Sequence, residues 1–394
     1  MTKTISQGIT YIGTDDLDLD LFESQYDVPE GMSYNSYLVS GGKTAILDTS
    51  DIRRGEEWKE NLAEALAGRT PDYLVVHHME PDHSALAAWA LAEYPGLKLA
   101  ASAKALQLMG QFFPGIGLEG RTITLKEGDT LDLEGRTLRF FTAPMVHWPE
   151  VMVSYDSLSG TLFTADGFGK FGALSKCGFW GDEDNDWACE ARRYYFNICG
   201  KYGLQVQALL KKASTLDIKV IAPLHGPILR ENLGYYLGLY DTWSSYRHET
   251  EGVFVACASI HGGTLEAAQK LVEILKAKGA PKVAFADLTR DDIHEAVEDA
   301  FRYPRMVVAA ASYDAGLFTP AYNFLHLLQA KAYQKRKVAL IENGSWAPSA
   351  GRVMKEMFGT MKDVTIAGET VTIRSRITPS DIPALEALAE AVLQ

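Results

Sequence analysis

The chain has few cysteines for its length, and none of them forms a closely spaced pair. Its 394 residues contain four cysteines and no Cys-x-x-Cys segment. The four are Cys177, Cys189, Cys199 and Cys257. Structural zinc sites and cysteine-ligated iron centres usually need such pairs. The sequence therefore argues against both, and any iron in this protein must be held by histidine and carboxylate side chains.

The sequence also lacks an excess of positive charge and a long apolar run. Lys and Arg number 38 against 51 Asp and Glu, and the net charge of −13 argues against nucleic acid or an anionic membrane surface as a partner. No apolar run approaches the roughly 18 residues of a membrane span, and the N-terminal residues show no secretion signal. We expect a soluble, cytoplasmic protein. A basic protein partner would fit the charge, but ordinary solubility explains it as well.

The length and the 47% apolar content predict two domains with separate cores. In the first part, apolar runs within residues 37–48 and 123–142 predict strands and hairpins, and amphipathic patterns predict helices over 56–67 and 84–93. An aromatic-rich helical stretch follows over 230–246. We place the domain boundary after it, which gives domains 1–249 and 250–394.

Strands and helices alternate regularly beyond residue 252. Helices are predicted over 264–278 and 291–302. The predicted strands cover residues 253–258, 282–286, 306–311, 338–341 and 371–373. Such alternation predicts an open, doubly wound parallel sheet of the flavodoxin kind.

A dense group of potential metal ligands follows the apolar strand predicted over 73–76. The group reads His78-x-Glu80-x-Asp82-His83. Because Glu80 precedes a proline, the chain should stay extended, and residues two apart then share one face. We therefore expect His78, Glu80 and Asp82 to point together, with His83 joining them where a helix starts. The alternative is an ordinary strand-to-helix turn in which Asp82 caps the helix.

Three more potential ligands each follow an apolar stretch that is predicted to be a strand. They are His147 after residues 143–146, Asp166 after 162–165 and His225 after 220–224. Each residue alone is more often a capping or core group than a ligand. Since one edge of a sheet gathers residues from distant chain positions, the whole set favours a metal centre. His77 should point the other way on its strand, in a supporting or structural role.

This order of ligands, followed by the segment 166–174, resembles the flavodiiron proteins, also called A-type flavoproteins. The resemblance implies a metallo-β-lactamase-like αββα sandwich for the first domain. In zinc hydrolases of that fold a histidine stands at the position of Glu80, and the added carboxylate favours iron. The resemblance implies one iron on His78, Glu80 and His147. It implies a second iron on Asp82, His83 and His225, with Asp166 bridging the two. Many relatives have Asn at His77 and Gly at Ala85, but neither position is a ligand.

Three loops of the second domain are candidates for binding FMN, because they follow strands where an open α/β sheet binds its ligand. The first is Ser259, Ile260, His261, Gly262, Gly263 and Thr264. The second is Ser312, Tyr313, Asp314, Ala315, Gly316 and Leu317. The third is Asn343, Gly344, Ser345, Trp346 and Ala347, with Ser349 behind it. The first loop suits a phosphate at a helix N-terminus and lacks the lysine of a nucleotide triphosphate loop. Taken alone, it also fits a tight turn without a ligand, and Trp346 fits an ordinary aromatic.

The resemblance implies an oxidoreductase in which electrons pass from a small carrier through FMN to a di-iron centre that reduces O2 or NO. The carrier would be a separate rubredoxin-type protein, and the oligomer a head-to-tail homodimer or a dimer of dimers. Tyr194, Tyr195 and Trp148 are candidates for a catalytic role beside the irons, although core packing would explain each of them. Two other functions stay open, a hydrolase with a binuclear metal site and a non-catalytic FMN electron carrier.

Overall fold

The structure, a computed structural model, describes residues 2–394. The chain forms two compact units. One comprises the chain up to Tyr195 together with Leu204–Asp241, and the other comprises Phe196–Gly203 together with Thr242–Gln394. The units divide close to the predicted boundary, while the short segment 196–203 joins the second unit. The predicted domain ranges themselves stay a prediction.

Within residues 2–394, the first unit contains sixteen strands. They are β1 (Lys3–Ser6), β2 (Ile9–Tyr11), β3 (Thr14–Asp16), β4 (Leu21–Phe22), β5 (Tyr26–Asp27), β6 (Met32–Tyr34), β7 (Tyr37–Ser40), β8 (Thr44–Leu47), β9 (Tyr73–Val76), β10 (Lys98–Ser102), β11 (Thr122–Leu125), β12 (Thr130–Asp132), β13 (Thr137–Thr142), β14 (Met152–Asp156), β15 (Thr161–Phe163) and β16 (Val220–Ala222). Two sheets contain most of them, in the orders β1-β2-β7-β8-β9-β10-β11 and β12-β13-β14-β15-β16.

In the described part of the chain, eight α-helices accompany these strands. They are α1 (Gly55–Leu66), α2 (Pro81–Ser84), α3 (Ala87–Glu93), α4 (Ala103–Phe112), α5 (Leu174–Cys177), α6 (Trp187–Tyr194), α7 (Gly203–Ala213) and α8 (Leu233–Ser244). A π-helical turn, Tyr195–Cys199, follows α6.

Two hydrophobic cores hold the first unit together. The inner faces of the two sheets meet through residues such as Val39, Val75 and Phe140. On its other face the first sheet buries Ile46 and Leu74 against helices α1, α3 and α4. One strand can contribute to both cores, because its successive side chains point to opposite faces of the sheet. The layers are those of the metallo-β-lactamase-like sandwich, and this part of the fold prediction is confirmed.

The second unit is a sheet covered by helices on both faces. Its strands are β17 (Val253–Ala258), β18 (Val283–Asp287), β19 (Arg305–Tyr313), β20 (Gly316–Leu317), β21 (Arg336–Asn343), β22 (Val364–Ile366) and β23 (Val371–Ile373). These strands are parallel except for β20, which pairs antiparallel with β19. Its helices are α9 (Gly263–Ala277), α10 (Ile293–Arg302), α11 (Thr319–Ala330), α12 (Ala350–Phe358) and α13 (Ile382–Leu393). The two units together have four short 3-10 turns among the described residues, at Ile52–Arg54, Gly181–Glu183, Gly200–Tyr202 and Pro379–Asp381.

The strand order β18-β17-β19-β21, with β22 and β23 both beside β21, is that of a flavodoxin-like sheet. The central strands β17, β19 and β21 are largely buried because helices cover both faces, which explains their continuous apolar sequences, while β22 is mostly exposed. The five predicted strands are confirmed, and β20 and β22 are two additional short ones. None of the helices within residues 2–394 combines the length and apolar character that crossing a membrane requires.

Candidate functional site

The first ligand group owes its position to the way the chain leaves β9. Glu80 is extended, with φ −59° and ψ 139°, as expected for a residue before proline. Pro81 then begins helix α2, because its fixed φ suits the first helical position. Asp82 and His83 therefore lie in a helical turn. The expectation that Asp82 would share an extended face with His78 and Glu80 is wrong for Asp82.

His78 and Glu80 meet His147 and Asp166 in one group, and one ligand atom of each lies within 4.8 Å of the others. Oε2 of Glu80 is 3.1 Å from Nε2 of His78 and 3.0 Å from Nε2 of His147. Oδ2 of Asp166 is 3.3 Å from His78 Nε2 and 3.1 Å from His147 Nε2. Residues 143–146 before His147 form a turn rather than the predicted strand, since β13 ends at Thr142.

Asp82, His83 and His225 form the second group. Nε2 of His83 is 3.0 Å from Nε2 of His225, and Oδ2 of Asp82 is 3.4 and 3.3 Å from these two nitrogens. Oδ1 of Asp166 is 3.2 Å from His83 and 3.8 Å from His225. Asp166 thus presents one carboxylate oxygen to each group, which is the geometry of a bridging ligand.

The donor set fits cations better than it fits a hydrogen-bonded core. Both carboxylate oxygens of Asp82 and Oδ1 of Asp166 are buried without a hydrogen-bond partner among residues 2–394. A buried carboxylate in that situation is costly unless a cation compensates it. Burial, with help from the charges of Glu80 and Asp166, raises the pKa of Asp82 to about 7. Mixed imidazole and carboxylate donors suit iron and similar divalent metals.

A loop after β8, which includes Asp48 and Thr49, holds the backbone next to both groups of candidate ligands. Asp48 Oδ1 accepts a hydrogen bond from the His77 backbone N–H at 2.7 Å, and Oδ2 lies 2.6 Å from Nδ1 of the His77 ring. The other ring nitrogen of His77 is 2.8 Å from the Ser154 hydroxyl, on the facing sheet. Thr49 donates to the His83 carbonyl from its backbone N–H, at 2.7 Å, and from its hydroxyl, at 2.9 Å. His77 therefore points away from the candidate metal ligands, as predicted, and connects the two sheets.

Two of the three aromatic residues predicted beside the irons contact ligand rings. The Trp148 ring lies edge-on to His78 with 5.2 Å between centroids, and the Tyr194 ring lies 5.7 Å from His225. Tyr195 packs against Tyr240 at 5.2 Å. A catalytic role for any of the three stays a prediction.

Sequence reasoning missed two groups that bind the outer ring nitrogens of the ligands. Glu150 Oε1 lies 2.7 Å from Nδ1 of His78, and the Ser33 carbonyl lies 2.7 Å from Nδ1 of His225. Glu150 could have been found, since it is an acid three residues beyond His147 in an otherwise apolar stretch. Ser33 contributes only its backbone carbonyl, and a contact of that kind cannot be predicted from a pattern of side chains.

In the second unit the three predicted loops lie at the carboxyl ends of the parallel strands β17, β19 and β21. Ser312, Tyr313 and Asn343 are still the last residues of their strands, and Gly316–Leu317 forms the short strand β20 rather than loop. Gly262 has φ +88°, a conformation that favours glycine. A Cβ on Gly263 would lie 2.0 Å from the carbonyl oxygen of Ser375, so no side chain fits there. The Ser259 hydroxyl accepts a hydrogen bond from Gly262 N–H at 3.0 Å and holds the turn.

Several polar residues of these loops join the loops to one another. Ser312 Oγ accepts hydrogen bonds from the backbone N–H groups of Ser349, at 2.8 Å, and Ala350, at 3.1 Å. The Asn343 side chain donates to the Ser375 carbonyl at 3.0 Å and accepts from its N–H at 3.1 Å. The segment around Ser375 is therefore a fourth part of this edge that sequence reasoning missed. Trp346 is 89% exposed and Tyr313 is 50% exposed, so both rings are available to a ligand or partner.

Comparisons with known proteins agree with this architecture. Residues 32–226 match the family described as ODP family beta lactamase. The chain is 30% identical over 349 residues to diflavin flavoprotein A 1 of Nostoc sp., and the matched region covers 87% of this chain and 58% of that protein. It is 24% identical over 376 residues to the anaerobic nitric oxide reductase flavorubredoxin of Aeromonas hydrophila, and the matched region covers 93% of this chain and 75% of that protein.

Two solved structures share the whole fold with a TM-score of 0.91 and 22% identity. They are rubredoxin oxygen:oxidoreductase from Desulfovibrio gigas, with 100% of this chain and 98% of that chain covered, and the flavodiiron protein from Giardia intestinalis, with 100% and 97% covered. The chain is similar to the flavodiiron proteins and shares their fold over its whole length. The flavodiiron family implies a flavin and iron, and it includes oxidoreductases. The chain spans 58% of the length of its diflavin relative from Nostoc sp..

Proposed function

We propose that this chain is a flavodiiron oxidoreductase that carries electrons from a separate small carrier through FMN to a di-iron centre that reduces O2 to water or NO to N2O and water. The observation that supports it best is Asp166, whose two oxygens face two separate groups of ligands. A single metal would need one such group. Two groups that share a carboxylate suit a pair of ions.

The proposed ligands are those expected from the sequence. One iron would be held by His78, Glu80 and His147, and the other by Asp82, His83 and His225, with Asp166 between them. When bound, two irons and FMN would together supply the electrons and the Lewis acidity that reduction of a small gas molecule requires. The three carboxylates would offset most of the positive charge of two ferrous ions.

The surrounding side chains would exclude water and admit a small substrate. The Phe22 ring lies edge-on to His225 at 5.3 Å, and Tyr34 and Tyr194 lie on the same ring at 6.0 and 5.7 Å. Glu80 and His147 have the most exposed side chains of the ligand set, at 15% and 11%. We therefore infer that substrate reaches the site from the side of these two residues.

FMN would bind in the loops at the carboxyl edge of the flavodoxin-like sheet. The phosphate would lie in the turn 259–264, where the start of the 15-residue helix α9 offers backbone N–H groups and a partial positive charge. The exposed rings of Tyr313 and Trp346 would flank the flavin. The electron donor would be a rubredoxin-type protein. In the head-to-tail dimer, the flavin of one subunit would serve the irons of its partner.

Both gases remain within the proposal because the relatives are named for each. The Desulfovibrio gigas protein is named for oxygen and the Aeromonas hydrophila protein for nitric oxide. The deciding experiment is to reconstitute the full chain with Fe²⁺ and FMN, reduce it chemically, and mix it with each gas in a single turnover. Two irons and one FMN per chain, with rapid oxidation by at least one gas, are expected. A protein that retains zinc and no flavin after this treatment would instead be a hydrolase of the metallo-β-lactamase fold.

A further inference from the structure

The outer ring nitrogens of the candidate ligands have unequal partners. His78 Nδ1 faces the carboxylate of Glu150 at 2.7 Å. His225 Nδ1 faces the neutral carbonyl of Ser33 at 2.7 Å. His83 Nδ1 is buried without a hydrogen-bond partner among residues 2–394. The two proposed metal positions therefore differ in the charge that stands behind their histidines.

Glu150 is held rigidly in this position. It is 2% exposed, and its Oε1 also accepts a hydrogen bond from the Met79 N–H at 2.9 Å. Its own carbonyl accepts a hydrogen bond from the Ser102 hydroxyl at 2.9 Å. Its second carboxylate oxygen is buried without a hydrogen-bond partner among residues 2–394. Such a carboxylate keeps the proton on Nδ1 of His78 and leaves Nε2 with its lone pair toward Glu80 and Asp166.

We propose that Glu150 is a positioning residue that makes the His78, Glu80 and His147 position the tighter of the two iron sites. A carboxylate behind a ligating histidine fixes the tautomer and increases its basicity, and losing such a partner typically lowers metal affinity about 10- to 100-fold. Counting charges gives the same direction. Asp166 is shared, the first position has Glu80 and Glu150, and the second has only Asp82. The inference rests on the proposed function, since it requires two bound ions.

Two substitutions separate charge from geometry. Glu150→Gln keeps an oxygen that can accept from His78 and Met79 but removes the negative charge, and Glu150→Ala removes both. Glu127→Gln is the matched control, because Glu127 is a carboxylate of the same unit that binds Lys212 and Thr142. All four full-length proteins would be loaded with ⁵⁷Fe²⁺ without oxygen and challenged with increasing concentrations of a chelator. FMN content and thermal melting would check that each variant is folded.

The wild-type and control proteins should give up one iron well before the other. In Glu150→Gln the tighter iron should bind about 10- to 100-fold more weakly. The two irons should then be released at similar chelator concentrations, or in the opposite order. One Mössbauer doublet should change while the other is retained, and the two one-electron midpoint potentials should move closer together. Glu150→Ala should show at least as large a loss of affinity.

The outcomes distinguish this inference from the proposed function. If the wild-type protein never holds two irons, the proposed function fails and this inference fails with it. If the wild type holds two irons and FMN but Glu150→Gln releases both as the wild type does, only the role of Glu150 is overturned. Equal weakening of both irons in a folded Glu150→Gln protein would also overturn it, because the effect would then lack the predicted asymmetry.

Discussion

Replacing Asp166 with Asn tests the bridging geometry directly. Asp166 is 1% exposed, and its two oxygens lie between 3.1 and 3.8 Å from the Nε2 atoms of four histidines. Asn has nearly the same shape but replaces one oxygen with an NH2 group, which would turn hydrogen toward a cation. The charge of the three carboxylate ligands would fall from −3 to −2. Both metal positions would be weakened by the same change.

The expected loss of iron affinity can be set from the effect that groups next to a metal ligand usually have on metal binding. Losing a partner behind a ligand typically costs about 10- to 100-fold in affinity, so losing a shared ligand should cost at least about 100-fold. That corresponds to at least about 2.8 kcal/mol, because each tenfold change is about 1.4 kcal/mol. At limiting iron, Asp166→Asn should retain less than one iron per chain. Its FMN content should equal that of the wild type, since the flavin loops belong to the other unit.

His77→Asn is the matched control for this measurement. His77 is as buried as Asp166 but points toward Asp48 and Ser154 on the opposite side of the strand. Losing one of its buried hydrogen bonds should lower the free energy of unfolding by about 1 to 3 kcal/mol. Iron content should stay close to that of the wild type. Normal iron affinity in Asp166→Asn, or equal iron losses in the two variants, would refute the assignment of Asp166 as a bridge.

Three further predictions address pH, the flavin site and the oligomer. Without metal, burial lowers the pKa of His147, but hydrogen bonds to carboxylates including Asp166 outweigh it and raise the pKa to about 9, while the pKa of Asp82 is about 7. Both groups must lose their protons to bind metal, so Fe²⁺ uptake at pH 7 should release protons, which an indicator dye would measure. The affinity of the protein for Fe²⁺ should rise between pH 6 and 9, as binding titrations would show. An affinity that does not depend on pH would contradict this. Gly263→Val should abolish FMN binding but leave iron content normal, because the new Cβ would meet the Ser375 carbonyl, and a yellow variant would show that the phosphate loop is elsewhere. Mixing Gly263→Val with Asp166→Asn should restore part of the gas-reducing activity that each lacks alone; confirmed subunit exchange without recovery would rule out electron transfer between subunits.

The sequence by itself determined the elements and the kinds of ligand. Apolar strands, glycine turns and the alternation beyond residue 252 are local patterns, and each acts on its own few residues. Pro81 fixed the extended conformation of Glu80 in the same way. The types of donor at the strand ends, four histidines and three carboxylates, were enough to indicate a metal centre. Gly262 and the helix after it likewise indicated the candidate phosphate loop.

Only the tertiary structure decided which ligands share a position and what supports them. Pro81 also starts a helix, so Asp82 turned away from His78 and joined His225, a residue far along the chain. Glu150 reaches His78 because the turn after β13 folds back against the end of β9, and Ser375 excludes a side chain from Gly263 because β23 runs beside β21. Such pairings depend on packing between distant segments. Periodicity and local propensity do not encode them, since they describe only a residue's neighbours along the chain.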